Sequence, residues 1–311
     1  MNSQNSRFKF ALYSRNMKIQ QNIPLAPYTT LKIGGPADYF VIVKSQKELI
    51  DALTWAKEKN LPYFILGNGS NVLISDQGFR GLIIKLPSNT AGRQVTSYKL
   101  QKNILTAGAG SSMSTLAKLT AKAGLTGLEF GIGIPGTVGG AIYGNAGAYG
   151  QEIKNVLTQV KILMPKTDEA VHTMDNKACE FGYRTSIFKK YKDWVILEAV
   201  FELKKSAKKE CEKKIKQILK DKKNNQPMGE KSAGSIFKNP PGYKAWKLIS
   251  EAEIKGLEVG QAKVSEKHAN YIINTGKATA EQVITLIAMI KQRVRDRFNI
   301  QLQEEIQCLG F

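Results

Sequence analysis

The sequence predicts an α+β protein, because short apolar strands and amphipathic helices alternate along its 311 residues. A chain of this length usually divides into two or three domains. Strands and one helix occur in residues 28–86, further strands surround a glycine-dense segment in residues 103–203, and the remainder holds two helices and a closing strand. We expect the following division: a lead-in at 1–22 and units at 23–88, 89–205 and 206–311.

The first unit is predicted from a change of periodicity. Apolar runs typical of short strands occur at DYFVIV, PYFILG and GLIIKL. Between the first two, SQKELIDALTWAKEKN places Leu49, Leu53 and Ala56 on one helical face. In the second unit, strands are predicted at NILTAG, VLTQVKILM and DWVILEAVFEL.

The last unit is predicted to hold two amphipathic helices and a final strand. The lysine-rich run 204–223 places Ile215, Ile218 and Leu219 on one face. A second helix begins at Thr279, where Gln282 completes a capping box. We expect IQLQEEIQCLG to form one strand, and its alternation places Glu304 on the apolar face and Glu305 on the polar face.

Charge and composition bound the function. A net charge of +20 and a pI near 9.7 would suit a nucleic-acid binder. However, the densest basic run is the outer face of an amphipathic helix, and no aromatic ladder accompanies it. We therefore expect no nucleic-acid partner and keep that class as the rival to an enzyme. Basic charge also attracts polyanionic substrates.

The sequence does not indicate a membrane protein, a disulfide-rich protein or a metal-binding protein. No run reaches the roughly 18 apolar residues of a membrane span, and the N-terminus lacks the pattern of a signal peptide, so we expect a cytoplasmic protein. Three scattered cysteines and two histidines indicate neither a disulfide framework nor a metal site.

The glycines carry the strongest chemical signal. Residues 124–150 hold ten of the 27 glycines, and LGNGSNVLIS (66–75) is a second glycine-rich turn between strands. Glycine allows positive φ and close approach of backbone N–H groups to phosphates. Two such turns suggest a large anionic cofactor. Residues 131–136 fit G-x-G-x-x-G, but Pro135 and the later glycines disfavour the helix that a dinucleotide fold requires. The segment 105–124 matches the strand–turn–helix context of a dinucleotide site better. A plain β-turn-α connection without a ligand explains that segment equally well.

Seven motifs occur in order from about residue 23 to residue 311, nearly the whole chain. They are YTTLKIGGPA, LGNGSNVLISDQGFRG, GLEFGIGIPGTVGGAIYGNAGAYG, FGYRTSIFK, SAGSIFKNP, VSEKHANYIIN and LQEEIQCLG. Together these motifs resemble the UDP-N-acetylenolpyruvoylglucosamine reductase family. That number of collinear motifs is far more specific than any single glycine pattern.

The resemblance implies a two-part FAD-binding module of the vanillyl-alcohol oxidase (PCMH) type, followed by a C-terminal α/β substrate-binding domain. It implies non-covalent FAD, NADPH as reductant and a UDP-sugar substrate, and we expect a monomer. The implied cofactor-binding residues lie in two loops: Gly67, Asn68, Gly69, Ser70 and Asn71 in one, and Pro135, Gly136, Thr137, Gly139, Gly140, Asn145 and Gly147 in the other.

The resemblance also implies a catalytic set. Hydride from FAD N5 reaches the vinyl carbon, Arg184 and Glu305 stabilise the resulting enolate, and Ser235 protonates the α-carbon. A guanidinium suits a carboxylate that becomes more anionic, and a buried acid can stay protonated. From the residues alone, a surface cation at a strand end is the alternative interpretation of Arg184, whereas a turn serine is the favoured interpretation of Ser235. The implied substrate contacts are Tyr183, Lys238 and Asn239.

Two departures from the family pattern refine these expectations. The 50 residues between Arg184 and Ser235 leave no room for a tyrosine-bearing lid, which indicates the lidless second subclass. Glu258 stands where the family usually has a basic or amide residue near the diphosphate, so either Lys263 compensates or that contact is lost. An oxidase built on the same FAD module is the alternative enzyme, although the Arg, Ser and Glu set disfavours it.

Overall fold

The computed structural model describes residues 17–87, 97–164 and 171–311, and these residues form an α+β fold, as predicted. Most of the predicted lead-in (1–22) and the predicted boundary between residues 88 and 89 lie outside the described residues. Strand pairing nevertheless begins at Gln20, inside the predicted lead-in.

The first unit is a four-stranded sheet with one helix. The elements are β1 (Gln20–Pro24), β2 (Pro36–Ile42), α1 (Gln46–Glu58), β3 (Tyr63–Leu66), β4 (Val72–Ile74) and β5 (Phe79–Lys85). The sheet order is β1-β2-β5-β3, with β1 antiparallel to β2 and the other pairs parallel. Ser45 caps α1 by accepting a hydrogen bond from the Glu48 amide, and Leu49, Leu53 and Ala56 are buried as predicted.

The second unit is built on a five-stranded antiparallel sheet. Its elements are β6 (Tyr98–Gln101), β7 (Ile104–Gly108), α2 (Met113–Lys122), β8 (Leu125–Thr126), α3 (Val138–Tyr143), β9 (Gly147–Ala148), β10 (Gln151–Glu152), β11 (Leu157–Leu163), β12 (Val171–Asp175), β13 (Val195–Glu202) and β14 (Lys204–Lys205). The sheet order is β12-β11-β13-β7-β6. Helix α3 packs on this sheet, and Met113 and Leu116 of α2 belong to the same apolar core.

A short helix follows the G-x-G-x-x-G segment, which corrects the expectation that its glycines prevent one. Thr137 caps α3, and its hydroxyl accepts a hydrogen bond from the Gly140 amide. The glycines are tolerated because α3 packs closely on the sheet: a Cβ atom placed on Gly139 would lie 3.1 Å from that of Ala109. Close packing of the helix on the sheet therefore overrides weak helix propensity.

The lysine-rich helix α4 (Lys208–Asn225) packs on the second unit, whereas the sequence analysis placed it at the start of the third. Cys211, Ile215 and Ile218 form an apolar cluster with Ala117 and Ala121 of α2. The apolar face was predicted correctly, but the neighbour that covers it was not. The bound at residue 206 stays a prediction, and this packing argues for a later one.

The third unit combines two helices with a small sheet. The capping box predicted at Thr279 and Gln282 is confirmed. Asp76, in the first unit, also accepts hydrogen bonds from the Ala280 and Glu281 amides, so it ties this helix to the first unit. The elements are α5 (Ala245–Glu251), β15 (Glu258–Val259), β16 (Ala262–Val264), β17 (Ile272–Asn274), α6 (Ala280–Phe298) and β18 (Gln307–Leu309). No helix in the described ranges is long and apolar enough to cross a membrane.

The closing strand is shorter than predicted. Only β18 is a strand, and it pairs in parallel with β4 of the first unit. Residues 301–306 instead run along the Ser235 loop, where Lys238 donates a backbone hydrogen bond to Gln303 and Glu305 donates one to Ile236. The predicted alternation of faces holds over this stretch, where Leu302 and Ile306 are buried and Gln301 and Gln303 are exposed, but it ends before Cys308, which is exposed.

Candidate active site

Two glycine-rich loops that are far apart in the sequence meet through Asn68. Its amide nitrogen donates a 2.8 Å hydrogen bond to the Pro135 carbonyl. Ser70 lies at the same junction, because a Cβ atom placed on Gly136 would be 3.6 Å from its hydroxyl oxygen. The structure therefore brings together the two loops from which the sequence predicted a cofactor site.

The first loop can adopt its path only with glycine at position 69. Gly69 has φ +62°, and a Cβ atom there would lie 2.3 Å from the Tyr28 carbonyl oxygen. Thr30 holds the other side of the loop by donating its amide to the Gly69 carbonyl at 3.0 Å. A Cβ atom on Gly67 would likewise lie 2.7 Å from the Thr137 hydroxyl. Both glycines therefore meet a close-approach requirement.

An open cavity of about 340 Å³ lies beside these loops. The Lys85 side chain is buried there, and burial lowers its pKa to about 8. The Asn68 side-chain oxygen is buried without a hydrogen-bond partner in the described part of the chain. An unpaired acceptor beside cationic and amide groups is typical of a site that a polar ligand completes. The lining residues are Pro27, Tyr28, Thr29, Thr30, Lys32, Asn68, Lys85 and Pro135.

Some predicted cofactor residues have side chains or amides that the fold already uses. The Asn145 amide donates to Glu152 and to the Gly182 carbonyl, and its oxygen accepts from the Lys154 amide. The Gly139 amide donates to the Ala109 carbonyl at 2.8 Å. These groups shape the loop, and the Asn145 side chain and the Gly139 amide are unavailable to a ligand.

Arg184 and Glu305 form an ion pair between the second and third units. Arg184 Nε lies 2.8 Å from Glu305 Oε1, and each side chain is 21% exposed. Arg184 Nη2 also donates to the Gly147 carbonyl at 2.9 Å, in the glycine-rich segment. The Arg184 backbone has φ +55°, which is uncommon for a residue other than glycine. The Arg184 guanidinium therefore links Glu305 to the glycine-rich segment that was predicted to bind the cofactor.

Glu305 faces this site and Glu304 does not. Glu304 pairs with Lys291 of α6 at 2.7 Å, on the far side of the segment. Burial raises the pKa of the Glu305 carboxyl, although Arg184, Lys189 and Lys238 oppose the shift. Asn71 of the first loop fixes this residue, because its amide donates to the Glu305 carbonyl at 3.2 Å and its own carbonyl accepts from the Gln307 amide.

The Ser235 loop is held from three sides. Thr30 donates its hydroxyl to the Ser232 carbonyl at 2.6 Å, which links this loop to the first glycine-rich loop. Asn270 bonds both the amide and the carbonyl of Phe237. The Ile236 carbonyl accepts the Glu305 amide at 2.7 Å. Ser235 therefore sits between the predicted acid and the predicted cofactor loop.

The predicted substrate contacts line the same side of the Ser235 loop. The Tyr183 hydroxyl accepts a hydrogen bond from the Asn239 amide at 3.1 Å, and the Arg184 guanidinium lies over the Tyr183 ring. Lys238 is close enough to Lys189 and Glu305 to influence the pKa of both. The structure brings all three predicted residues to the Arg184–Glu305 pair.

Comparison with known proteins decides the family. The family model described as UDP-N-acetylenolpyruvoylglucosamine reductase, C-terminal domain, matches residues 226–309, and an FAD binding domain matches residues 37–173. A protein of that name from Caldanaerobacter subterraneus is 41% identical over 94% of both chains, and the one from Bacillus subtilis is 39% identical over the same shares. The chain belongs to the UDP-N-acetylenolpyruvoylglucosamine reductase family. The crystal structure of such a reductase from Thermus caldophilus covers 94% of this chain and 100% of its own, with a TM-score of 0.80 and 34% identity.

Membership in this family makes the chain an FAD-dependent oxidoreductase, with an FAD-binding module followed by the family's C-terminal domain. The residues present fit FAD. The Gly69 turn packs closely on Tyr28 at the edge of the cavity, the Asn68 oxygen has no hydrogen-bond partner within the described ranges, and Lys85 and Lys32 supply positive charge for phosphates. The cofactor expectation drawn from the two loops is thus consistent with the geometry.

Sequence reasoning missed Lys189, which lies in the quoted motif FGYRTSIFK. Its Nζ donates to the Arg184 carbonyl at 2.7 Å and lies over the Tyr143 ring. Burial lowers the pKa of Lys189, with Lys238 and Arg184 contributing and Glu305 opposing. Its position five residues after Arg184 was the signal that could have found it.

Glu258 has a neighbouring cation. Lys263 Nζ lies 2.8 Å from Glu258 Oε1, and the hydrogen bond to this carboxylate raises the pKa of Lys263. This ion pair is what compensation by Lys263 requires, while compensation at the diphosphate stays a prediction. The segment between Arg184 and Ser235 holds β13, β14 and α4, while the assignment to the lidless subclass stays a prediction.

Proposed function

We propose that the protein reduces the enolpyruvyl ether of UDP-N-acetylenolpyruvoylglucosamine to UDP-N-acetylmuramate, a step of peptidoglycan precursor synthesis, with non-covalent FAD and NADPH as reductant. The observation that carries the proposal is the Arg184–Glu305 pair at 2.8 Å, which lies beside the Ser235 loop and is joined to the first glycine-rich loop by Asn71. Family membership gives the substrate class.

Arg184 and Glu305 have complementary roles in the reaction. When bound, FAD supplies hydride to the terminal vinyl carbon of the substrate. Negative charge then grows on the substrate carboxylate, and the planar Arg184 guanidinium offers it two parallel N–H donors. The raised pKa of Glu305 favours the protonated carboxyl, which can donate a hydrogen bond to the developing enolate.

Ser235 delivers the proton to the α-carbon. A serine hydroxyl is a weak acid, but the acceptor is a strongly basic, carbanion-like carbon, so placement matters more than acidity. The loop supplies that placement, because Asn270 and the Glu305 amide fix the two residues that follow Ser235. The rigid support favours a catalytic position over a simple turn.

The proposal also covers the substrate contacts, the cellular location and the oligomeric state. Lys238 and Asn239 contact the substrate diphosphate, and the exposed Tyr183 ring is a further substrate contact. A strongly basic chain suits two polyanionic substrates. We place the protein in the cytoplasm as a monomer, in keeping with its substrates and with the absence of a membrane-spanning helix among the described residues.

The proposal is tested by following flavin absorbance through both half-reactions. The purified protein is expected to absorb as a flavoprotein, to be bleached by NADPH without oxygen, and to regain its colour when the enolpyruvyl UDP-sugar is added. Preparations without flavin, even after reconstitution with FAD, would contradict the proposal. Rapid reoxidation by oxygen but not by the enolpyruvyl sugar would favour the oxidase alternative.

A further inference from the structure

Segment 268–271 is hydrogen-bonded to the Ser235 loop through its backbone and through the Asn270 side chain. Ile236 donates its amide to the Asn270 carbonyl at 2.9 Å, while the Asn270 side chain bonds the Phe237 amide at 2.9 Å and the Phe237 carbonyl at 2.8 Å. This register places the residue after Asn270 beside the residue before Ile236. These three hydrogen bonds therefore bring Tyr271 and Ser235 together.

Tyr271 and Ser235 are neighbours across a short antiparallel pairing, which starts at the Ser232–Ile273 bridge and continues to the hydrogen bond from Ile236 to Asn270. Hydrogen bonding with Ser235 lowers the pKa of the Tyr271 phenol, against the larger effect of burial. The Tyr271 ring is held in place, because its centroid lies 4.8 Å from that of His268 in an edge-to-face arrangement and its backbone bonds His268 and Ser265. The titratable groups whose charges reach the hydroxyl are Glu305 and Tyr149. Tyr271 has no role in the proposed mechanism, although it is a direct neighbour of the proposed proton donor.

We propose that Tyr271 is a positioning residue that orients the Ser235 hydroxyl and returns a proton to it. The inference rests on the proposed function. As the Ser235 O–H proton moves to the substrate α-carbon, the Tyr271 O–H proton moves to the serine oxygen, and water then reprotonates the tyrosine. Two O–H bonds break and one C–H and one O–H bond form before water restores the phenol, so protons balance and no further reactant is needed.

The chemistry favours this order of proton transfer. A serine left as an alkoxide in a partly buried site is strongly disfavoured, because burial penalises an unpaired charge. A phenol is a far stronger acid than an alcohol or than water, whose pKa is about 15.7. Burial raises the pKa of Tyr271 to about 12, so the group stays protonated until the serine needs its proton.

Tyr271→Phe tests the inference, since it removes only the hydroxyl. We expect flavin reduction by NADPH to stay within about twofold of wild type, which also shows that the variant folds. Reoxidation by the enolpyruvyl sugar is expected to slow at least about tenfold. The matched control is Tyr98→Phe, at an exposed tyrosine of β6 in the second unit, which should leave both half-reactions unchanged.

Two further readouts separate a proton path from a structural role. In the Ser235→Ala background, Tyr271→Phe should cause no additional loss, because both hydroxyls act in one step. The dependence of the reoxidation rate on the deuterium fraction of the solvent should be curved for wild type and linear for Tyr271→Phe. Unchanged reoxidation in Tyr271→Phe, or losses that multiply with those of Ser235→Ala, would overturn the inference. Failure of the proposed function is distinguishable, since wild type itself would then not be reoxidised by the enolpyruvyl sugar.

Discussion

The Arg184 guanidinium and the Glu305 carboxylate lie 2.8 Å apart, although one belongs to the second unit and the other to the third. Arg184 is also bonded to the Gly147 carbonyl, and Glu305 is held by Asn71. The pair therefore forms only when three segments distant in the sequence have assembled. Arg184 and Glu305 hold each other's side chains at the position where negative charge develops in the proposed reaction.

Replacing Arg184 with lysine should slow reoxidation by the enolpyruvyl sugar about 10²–10³-fold. Lysine keeps the charge but cannot bond both Glu305 and the Gly147 carbonyl as the planar fork does. Flavin reduction by NADPH should be nearly unchanged in stopped-flow traces. Arg80→Lys is the control, because Arg80 forms an exposed pair with Asp38. Equal effects of the two substitutions would show that Arg184 has no special role.

The adjacent glutamates should differ sharply. Glu305→Ala is expected to slow reoxidation at least about 10²-fold, because the acid that stabilises the enolate is lost. Glu304→Ala should stay within about threefold, because its partner is Lys291 of α6, away from the Ser235 loop. Single-turnover reoxidation of the two variants measures the contrast. A larger loss in Glu304→Ala would contradict this account and assign the role to Glu304.

Gly69→Ala should destabilise the protein and weaken FAD binding together. Positive φ alone costs an alanine about 1–2 kcal/mol, and here the new methyl group would also meet the Tyr28 carbonyl. We expect a loss of more than about 3 kcal/mol in the free energy of unfolding by urea. Gly229→Ala, at φ +89° with open space around it, should lose only about 1–2 kcal/mol. Equal losses would mean that Tyr28 does not constrain the loop.

Lys222 should make stability depend on pH. It is buried on α4, bonds the Ile132 carbonyl, and burial lowers its pKa to about 8. Between pH 8 and the usual lysine value near 10.5, the unfolded chain binds more protons, so stability should rise with pH by up to about 3 kcal/mol.

Lys222→Met should flatten that rise in urea titrations at pH 7 and pH 10. The neighbouring Lys223 is exposed, and Lys223→Met should keep the wild-type slope. A wild-type slope in Lys222→Met would show that the amine is not desolvated as the structure indicates.

Local elements were predictable from the sequence, and their neighbours were not. The α1 face and the Thr279 capping box depend on nearby residues, so periodicity and spacing were sufficient. The cover of α4 and the length of β18 depend on distant partners, namely α2 and β4. Apolar alternation shows that a face is buried but not which surface covers it, so the sequence predicts neither the packing of α4 on α2 nor the extent of β18.

The candidate site was predictable only through collinear motifs. Ser235 resembles any serine in a glycine-containing turn, and Glu305 was placed on a polar face by alternation. Tyr271 sits in the apolar run YIIN, where an aromatic residue usually indicates core, so its hydroxyl was not considered. Its position beside Ser235 depends on the hydrogen bonds that Asn270 makes to the Ser235 loop, and no local sequence pattern predicts them.

The most direct test of the account is rapid-reaction measurement of both half-reactions in Ser235→Ala. The account predicts that NADPH reduces the flavin at close to the wild-type rate, whereas reoxidation by the enolpyruvyl sugar is at least about 10²-fold slower. That difference would assign the hydroxyl to protonation of substrate. Equal losses in the two half-reactions, or none in either, would contradict it and leave Ser235 as a residue of the turn.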